Sequence, residues 1–176
     1  MRLNSLFSPR PAVLAGRRLY AAAAAQARAP AFYADLGAAD TVEGRFELYT
    51  LHVVLLLRRL KGQGGAVGEA SQALFDAYLR SLDDALREMG VGDLSVGKKM
   101  RRLGEAFYGR VKSYEEAMAA LPERGPLEAL LARTVLMGQA ERAGPLVDYA
   151  VAAAEALDRQ TLEELMQRDP VWPPIA

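Results

Sequence analysis

Leu48-Tyr49-Thr50-Leu51-His52-Val53-Val54-Leu55-Leu56-Leu57-Arg58-Arg59-Leu60 is the stretch on which the fold turns. At 100° per residue, Leu48, Leu51, Val53, Val54, Leu55, Leu56 and Leu57 point in all directions. A helix that is apolar all round is surrounded by other helices or by lipid. The apolar run from Leu48 to Leu57 is far short of the roughly 20 residues that span a bilayer. The stretch therefore reads as the buried central helix of an all-α protein, spanning about residues 41–61. Asp40 and Glu43 have capping-box spacing at its start.

Outward from this helix the chain is punctuated by Gly and Pro. Upstream, Pro30 to Leu36 reads as a short helix stopped by Gly37. Downstream, Gly62 to Gly68 holds four glycines and reads as a flexible loop. A helix from about Glu69 to Met89 follows, with Phe75, Tyr78, Leu79, Leu82, Leu86 and Met89 in one stripe. Gly90 ends it. Ser95 is placed to cap a long helix reaching Leu121, striped by Val96, Met100, Leu103, Phe107, Val111, Tyr114 and Met118. Three shorter helices are expected after it. One runs from Pro126 to near Gly138. A second opens at Gly144-Pro145, and a third is capped by Asp158. The sum is a single irregular bundle of about six to eight helices. Its body covers residues 30–170, and residues 171–176 form an extended tail.

Residues 1–29 stand apart. They carry Arg2, Arg10, Arg17, Arg18 and Arg28, no acid, and the run Ala21–Ala25. This is the composition of a transit peptide or a basic arm. The alternative is a helix from Pro11 to Ala29, capped by Ser8 and docked loosely on the body. No continuous apolar core follows the early arginines, so no secretory signal is expected.

Composition narrows the function. The chain has 176 residues, 22 Lys+Arg against 22 Asp+Glu, no Cys and one His, His52. Zero net charge argues against a protein living mainly on nucleic acid, and no DNA partner is expected. Without Cys and with a single His there is no thiolate site, no His-rich metal site and no imidazole pair. The adjacent acids Asp83–Asp84, Glu115–Glu116 and Glu163–Glu164 diverge by about 100° on a helix and share no site. Gly62–Gly68 lacks the Lys-Ser/Thr ending of a phosphate loop. A binding or assembly protein is favoured over an enzyme, with no cofactor and no metal.

Two basic clusters stand out. Arg58, Arg59 and Lys61 close the central helix, where the helix dipole favours cations. Lys98, Lys99, Arg101 and Arg102 sit near a helix start, where it does not. The functional reading of both is an anionic partner: phospholipid head groups, ribosomal RNA or an acidic protein segment; the other reading is a solvated polar face. His52, on the wall of the central helix, reads first as a core residue with a hydrogen-bonded nitrogen. Together with Tyr78, Tyr108 and Arg110 it is also a candidate partner contact.

One further feature is a resemblance. It is carried by Phe32-Tyr33-Ala34-Asp35-Leu36-Gly37, by Asp40 to Phe46, by Leu51-His52-Val53 through Arg59-Leu60 and by Gln72 to Asp76. It continues in Arg87-Glu88-Met89-Gly90-Val91-Gly92-Asp93-Leu94-Ser95-Val96, Lys98-Lys99-Met100 and Phe107-Tyr108-Gly109-Arg110. Over about residues 30–150 the chain resembles the ubiquinol–cytochrome c chaperone family, in its bacterial form. The resemblance implies an all-helical assembly chaperone for the cytochrome bc1 complex, with cytochrome b as client. It also implies a site of action near the ribosomal exit and a small partner protein. On this reading the chain is cytoplasmic and peripheral to the inner membrane. A client helix would lie in an apolar groove between the central helix and its neighbours. An alternative is a helical binder of a quinone or lipid, in a closed cavity with a buried polar group such as His52. A general interaction module for another membrane-protein client is a third reading.

Overall fold

A computed structural model describes residues 10–175 of the chain. Among them are eight α-helices and no strand. The central helix, α3 (Val42–Leu60), is sheathed as its pattern demands: Leu48, Leu51, Val53, Leu55, Leu56 and Leu60 are all buried. Its start differs from expectation. Thr41, not Asp40, is the cap, and its Oγ1 accepts from the Gly44 amide at 3.0 Å. Glu43 is then one residue too early to return the bond, and Asp40 pairs instead with Arg45 at 2.6 Å. Gly44 is required here, because a Cβ at that position would stand 2.1 Å from the Ala39 carbonyl oxygen.

Two helices precede α3. These are α1 (Pro11–Ala27) and α2 (Pro30–Ala34). The alanine run of α1 is a packing surface rather than an appendage. Ala12, Ala15, Gly16, Leu19, Ala23, Ala24 and Ala27 are buried. Small side chains let α1 lie close along α4 (Gly65–Glu88), and a Cβ at Gly16 would stand 2.2 Å from the Ala70 carbonyl oxygen. Three arginines of this segment are tied down as well. Arg10 pairs with Glu69, Arg18 donates to the Leu165 carbonyl at 2.6 Å, and Arg28 lies over the Tyr49 ring. Close packing thus replaces the loose docking expected from composition. Ser8, the expected cap, lies outside the described residues, and Arg10 precedes the helix without a side-chain cap.

The expected Gly62–Gly68 loop is shorter than its glycines suggest. Gly64 precedes α4, so Ala66, Val67 and Gly68 are already helical. Burial of Ala70 against α1, and of part of Val67, outweighs the cost of glycine in a first turn. Gly90, at φ +79°, turns the chain into α5 (Asp93–Ala119), which Gly92 rather than Ser95 precedes. Met89, expected in the α4 stripe, is 52% exposed because it falls at the turn.

Beyond α5 come α6 (Gly125–Arg133), a single 3-10 turn (Ala140–Arg142), α7 (Ala143–Arg159) and α8 (Leu162–Gln167). Thr161 and Glu164 cap α8 reciprocally. Asp158, the expected cap, lies inside α7. Its carboxylate faces Arg58 at 3.1 Å. The tail returns across the body, with Gln160 holding Val171 through both its amide groups.

The α1–α4 contact makes a direct test. Gly16→Val should cost about 1–3 kcal/mol by overpacking, read from urea unfolding. Gly104→Ala, on an open helical position of α5, should be neutral or stabilise by up to about 1 kcal/mol.

Candidate functional site

Tertiary structure separates the two basic clusters. The Arg58–Arg59–Lys61 cluster is used internally. Arg58 pairs with Asp158, Lys61 meets Glu115 at 2.6 Å, and Arg59 donates to the carbonyls of Leu157 and Gln160. Those carbonyls lie at the C-terminal end of α7, where a guanidinium satisfies orphan acceptors. The second cluster is spent on nothing: Lys98, Lys99, Arg101 and Arg102 are exposed and have no ion pair among the described residues.

Three of the four candidate contacts face inward. Arg110 grips Glu47 with Nε at 2.7 Å and Nη2 at 2.6 Å, locking α5 onto α3. Glu47 is 6% exposed, so the pair is a structural clamp. Tyr78 is fully buried; its hydroxyl donates to Thr50 Oγ1 at 2.8 Å, and Thr50 passes its own proton to the Phe46 carbonyl. Burial raises the Tyr78 pKa. His52 is also fully buried and has both nitrogens engaged. A carbonyl only accepts, so Nδ1–H donates to Leu48 O at 2.8 Å. Nε2 then accepts from the Tyr149 hydroxyl at 2.8 Å, and that hydroxyl accepts from Gln26 Nε2 at 3.1 Å. Phe32 and Trp172 stand edge-on to the ring at 5.3 and 5.2 Å. One chain of bonds thereby joins α1, α3 and α7 under the tail. Burial pushes the His52 pKa down to about 4. In this arrangement neither His52 nor Tyr78 is available to a partner. His52 lines neither the groove beside Tyr108 nor the two concavities along α5 and α1, where a small-ligand site would have favoured it.

Tyr108 is different. It is 64% exposed and stands on Phe75 and Phe107, with ring centroids 5.9 and 6.0 Å away. It forms one wall of an open groove of about 310 Å³ between the end of α3, the start of α4 and the middle of α5. Leu57, Leu60, Phe75, Phe107 and Val111 supply the apolar lining, and Lys61, Ser71 and Gln72 the polar part. A second concavity of about 190 Å³ continues it along α5 past Val54, Tyr114 and Met118, sharing Leu57, Lys61, Ser71 and Val111. Phase within a helix does not announce such residues. Phe75 and Val111 occupy the same stripes as wholly buried neighbours. They stay partly open where they line the groove beside Gly62 and Gln63.

Residues 34–172 match the sequence model of the family described as ubiquinol-cytochrome C chaperone. The chain belongs to that family. The match takes in α3 to α8, the groove and Trp172. The chaperone-family assignment has further support. Ubiquinol-cytochrome-c reductase complex assembly factor 1 of Xenopus laevis is 24% identical over 166 residues, 92% of this chain and 82% of that protein. The crystal structure of the Cbp3 homolog from Brucella abortus is similar at TM-score 0.83 and 33% identity. That likeness covers 93% of this chain and 90% of that one, so it reaches beyond the residues matched by the family model. No described helix of this chaperone-family member is long and apolar enough to cross a membrane. No cluster of ligating side chains suited to a metal ion occurs among the described residues.

Two consequences are measurable. Folded His52 stays neutral down to about pH 4, whereas the unfolded side chain takes up a proton near 6.5. Between these values the unfolded chain holds more protons, so stability falls as pH falls. The contribution is complete above 6.5 and lost near 4, on the order of 3 kcal/mol. His52→Gln should remove that part of the pH slope in urea unfolding measured across the same range. Arg110→Ala should cost about 3 kcal/mol by stranding the Glu47 carboxylate. Adding Glu47→Leu should recover most of that loss in the same assay.

Proposed function

We propose that this chaperone-family member assists assembly of the ubiquinol-cytochrome c reductase complex by transiently holding cytochrome b. The observation that carries this reading is the open apolar groove between α3, α4 and α5, with an exposed tyrosine on its wall, in a chain of this family. An apolar helix of an immature membrane subunit has side chains at spacings of three and four that suit such a groove. Leu57, Leu60, Phe75 and Val111 would receive the apolar face, and Tyr108 would contact it with its ring while its hydroxyl stays in water. The open shape favours release once the client finds its own partners in the bilayer, because little of a bound helix is enclosed.

In this reading the chain acts without chemistry of its own and without a cofactor. It works on the cytoplasmic side, peripheral to the inner membrane, where a nascent client leaves the ribosome. A small partner protein would occupy or guard the groove between clients. The closed network around His52 has a structural part: it holds α1, α3, α7 and the tail together behind the groove.

Tyr108→Glu tests the proposal, since Tyr108 is exposed and its replacement should leave the melting temperature nearly unchanged. Cells lacking the gene should lose the b-type haem signal of their membranes. The wild-type gene should restore it, and the Tyr108→Glu gene should fail to. Equal restoration by both would remove the groove from the mechanism.

A further inference from the structure

Of the exposed features, the outer face of α5 is the least accounted for. Most other cations have a partner: Arg10, Arg18, Arg45, Lys61, Arg110 and Arg124 each meet a carboxylate. Arg17, Arg80 and Arg133 stand singly, whereas Lys98, Lys99, Arg101 and Arg102 form a cluster with no ion pair among the described residues. On the helix they project over about 160°, opposite the buried Val96 and Phe107. The face continues through Ala106 and Gly109, giving a length of about 20 Å, and Glu105 is its one acid. Such a concentration of unpaired charge near a helix N-terminus runs against the helix dipole, so nothing within the fold calls for it.

We propose that this face of α5 docks the protein on a bilayer of anionic phospholipid. Three features select a membrane. The cations share one arc of α5 within little more than a turn, so their long side chains can reach a single plane together. Apolar side chains flank them: Met89, 52% exposed, at the turn before α5, and Tyr108, 64% exposed, seven residues after Arg101 and nearly in line with it. An aromatic with a polar tip suits the head-group layer, and a methionine suits the acyl boundary below it. The chain as a whole is neutral, which weakens attraction to a long free polyanion but not to a surface met by one face alone. Docking in this way sets the groove beside Tyr108 at the edge of the bilayer, where a membrane segment is delivered. The lipid contact itself does not depend on the identity of the client.

The test is co-sedimentation of the full chain with vesicles of phosphatidylcholine alone and of phosphatidylcholine mixed with phosphatidylglycerol. Binding should require phosphatidylglycerol and weaken as salt is raised. Lys98→Gln with Arg102→Gln should lower the partition coefficient by roughly tenfold or more, as should Lys99→Gln with Arg101→Gln. Arg133→Gln with Arg168→Gln changes the net charge equally at exposed sites elsewhere and should leave binding within about twofold. Equal losses in all three variants, or equal binding to both vesicles, would overturn the proposal. So would tighter binding to a non-specific RNA oligonucleotide than to the anionic vesicles, which would make this face a nucleic-acid surface.

Discussion

Everything else in the molecule answers to the need to cover α3 on every side. A helix with leucine or valine at successive positions from Val53 to Leu57 has no solvent face to offer. Burying one such side chain is worth roughly 1.5–3 kcal/mol, so a half-covered α3 would be a poor helix in water. The cover comes from both ends of the chain: α1 and α2 before it, α4 and α5 after it, and α7 from far along the sequence. The polar groups on α3 are used to secure that cover. Glu47 binds Arg110 of α5, Thr50 meets Tyr78 of α4, and His52 meets Tyr149 of α7. Arg58 and Arg59 reach the end of α7. The walls made by α4, α5 and α7 are thus both packed against α3 and bonded to it, which sets rotation and depth as well as proximity.

A groove is left where the end of α3, the start of α4 and the middle of α5 come together. Leu57, Phe75 and Val111 are apolar because they belong to core stripes, yet they line this gap. Membership of a stripe therefore does not decide whether an apolar side chain is covered. What distinguishes this cleft is the ring of Tyr108 standing on its rim and the family to which the chain belongs. α5 thereby serves two masters: its inner stripe and Arg110 complete the core, while its outer face carries unpaired cations.

The helix pattern was legible because amphipathic spacing and Gly or Pro breaks are local signals. The central helix, the α4 and α5 stripes and the stop at Gly90 all follow from them. Errors gathered at helix starts. Asp40, Ser95 and Asp158 all have capping side chains, yet Thr41, Gly92 and Thr161 stand at those boundaries. One residue of register decides a cap, and packing decides the register. The low-complexity start misled in another way: alanine and glycine carry almost no periodic signal, although they permit the closest helix contact in the fold.

Charge was the least legible property of the site. By sequence, Arg58-Arg59 and Arg101-Arg102 are both arginine pairs on helices and differ only in the helix end they lie near. Only the arrival of Asp158 and the end of α7, about a hundred residues later, consumes the first pair and leaves the second free. His52, Tyr78 and Arg110 likewise read as possible contacts until Tyr149, Thr50 and Glu47 on other helices engage them. An all-helical body around one buried helix can be read from the residues alone, since hydrophobic periodicity is a property the chain carries locally. Which side chains are spent on that body, and which remain for a partner, depends on the folded arrangement. Hydrogen bonds and ion pairs join residues that the sequence keeps far apart, and their availability is known only when both ends are in place.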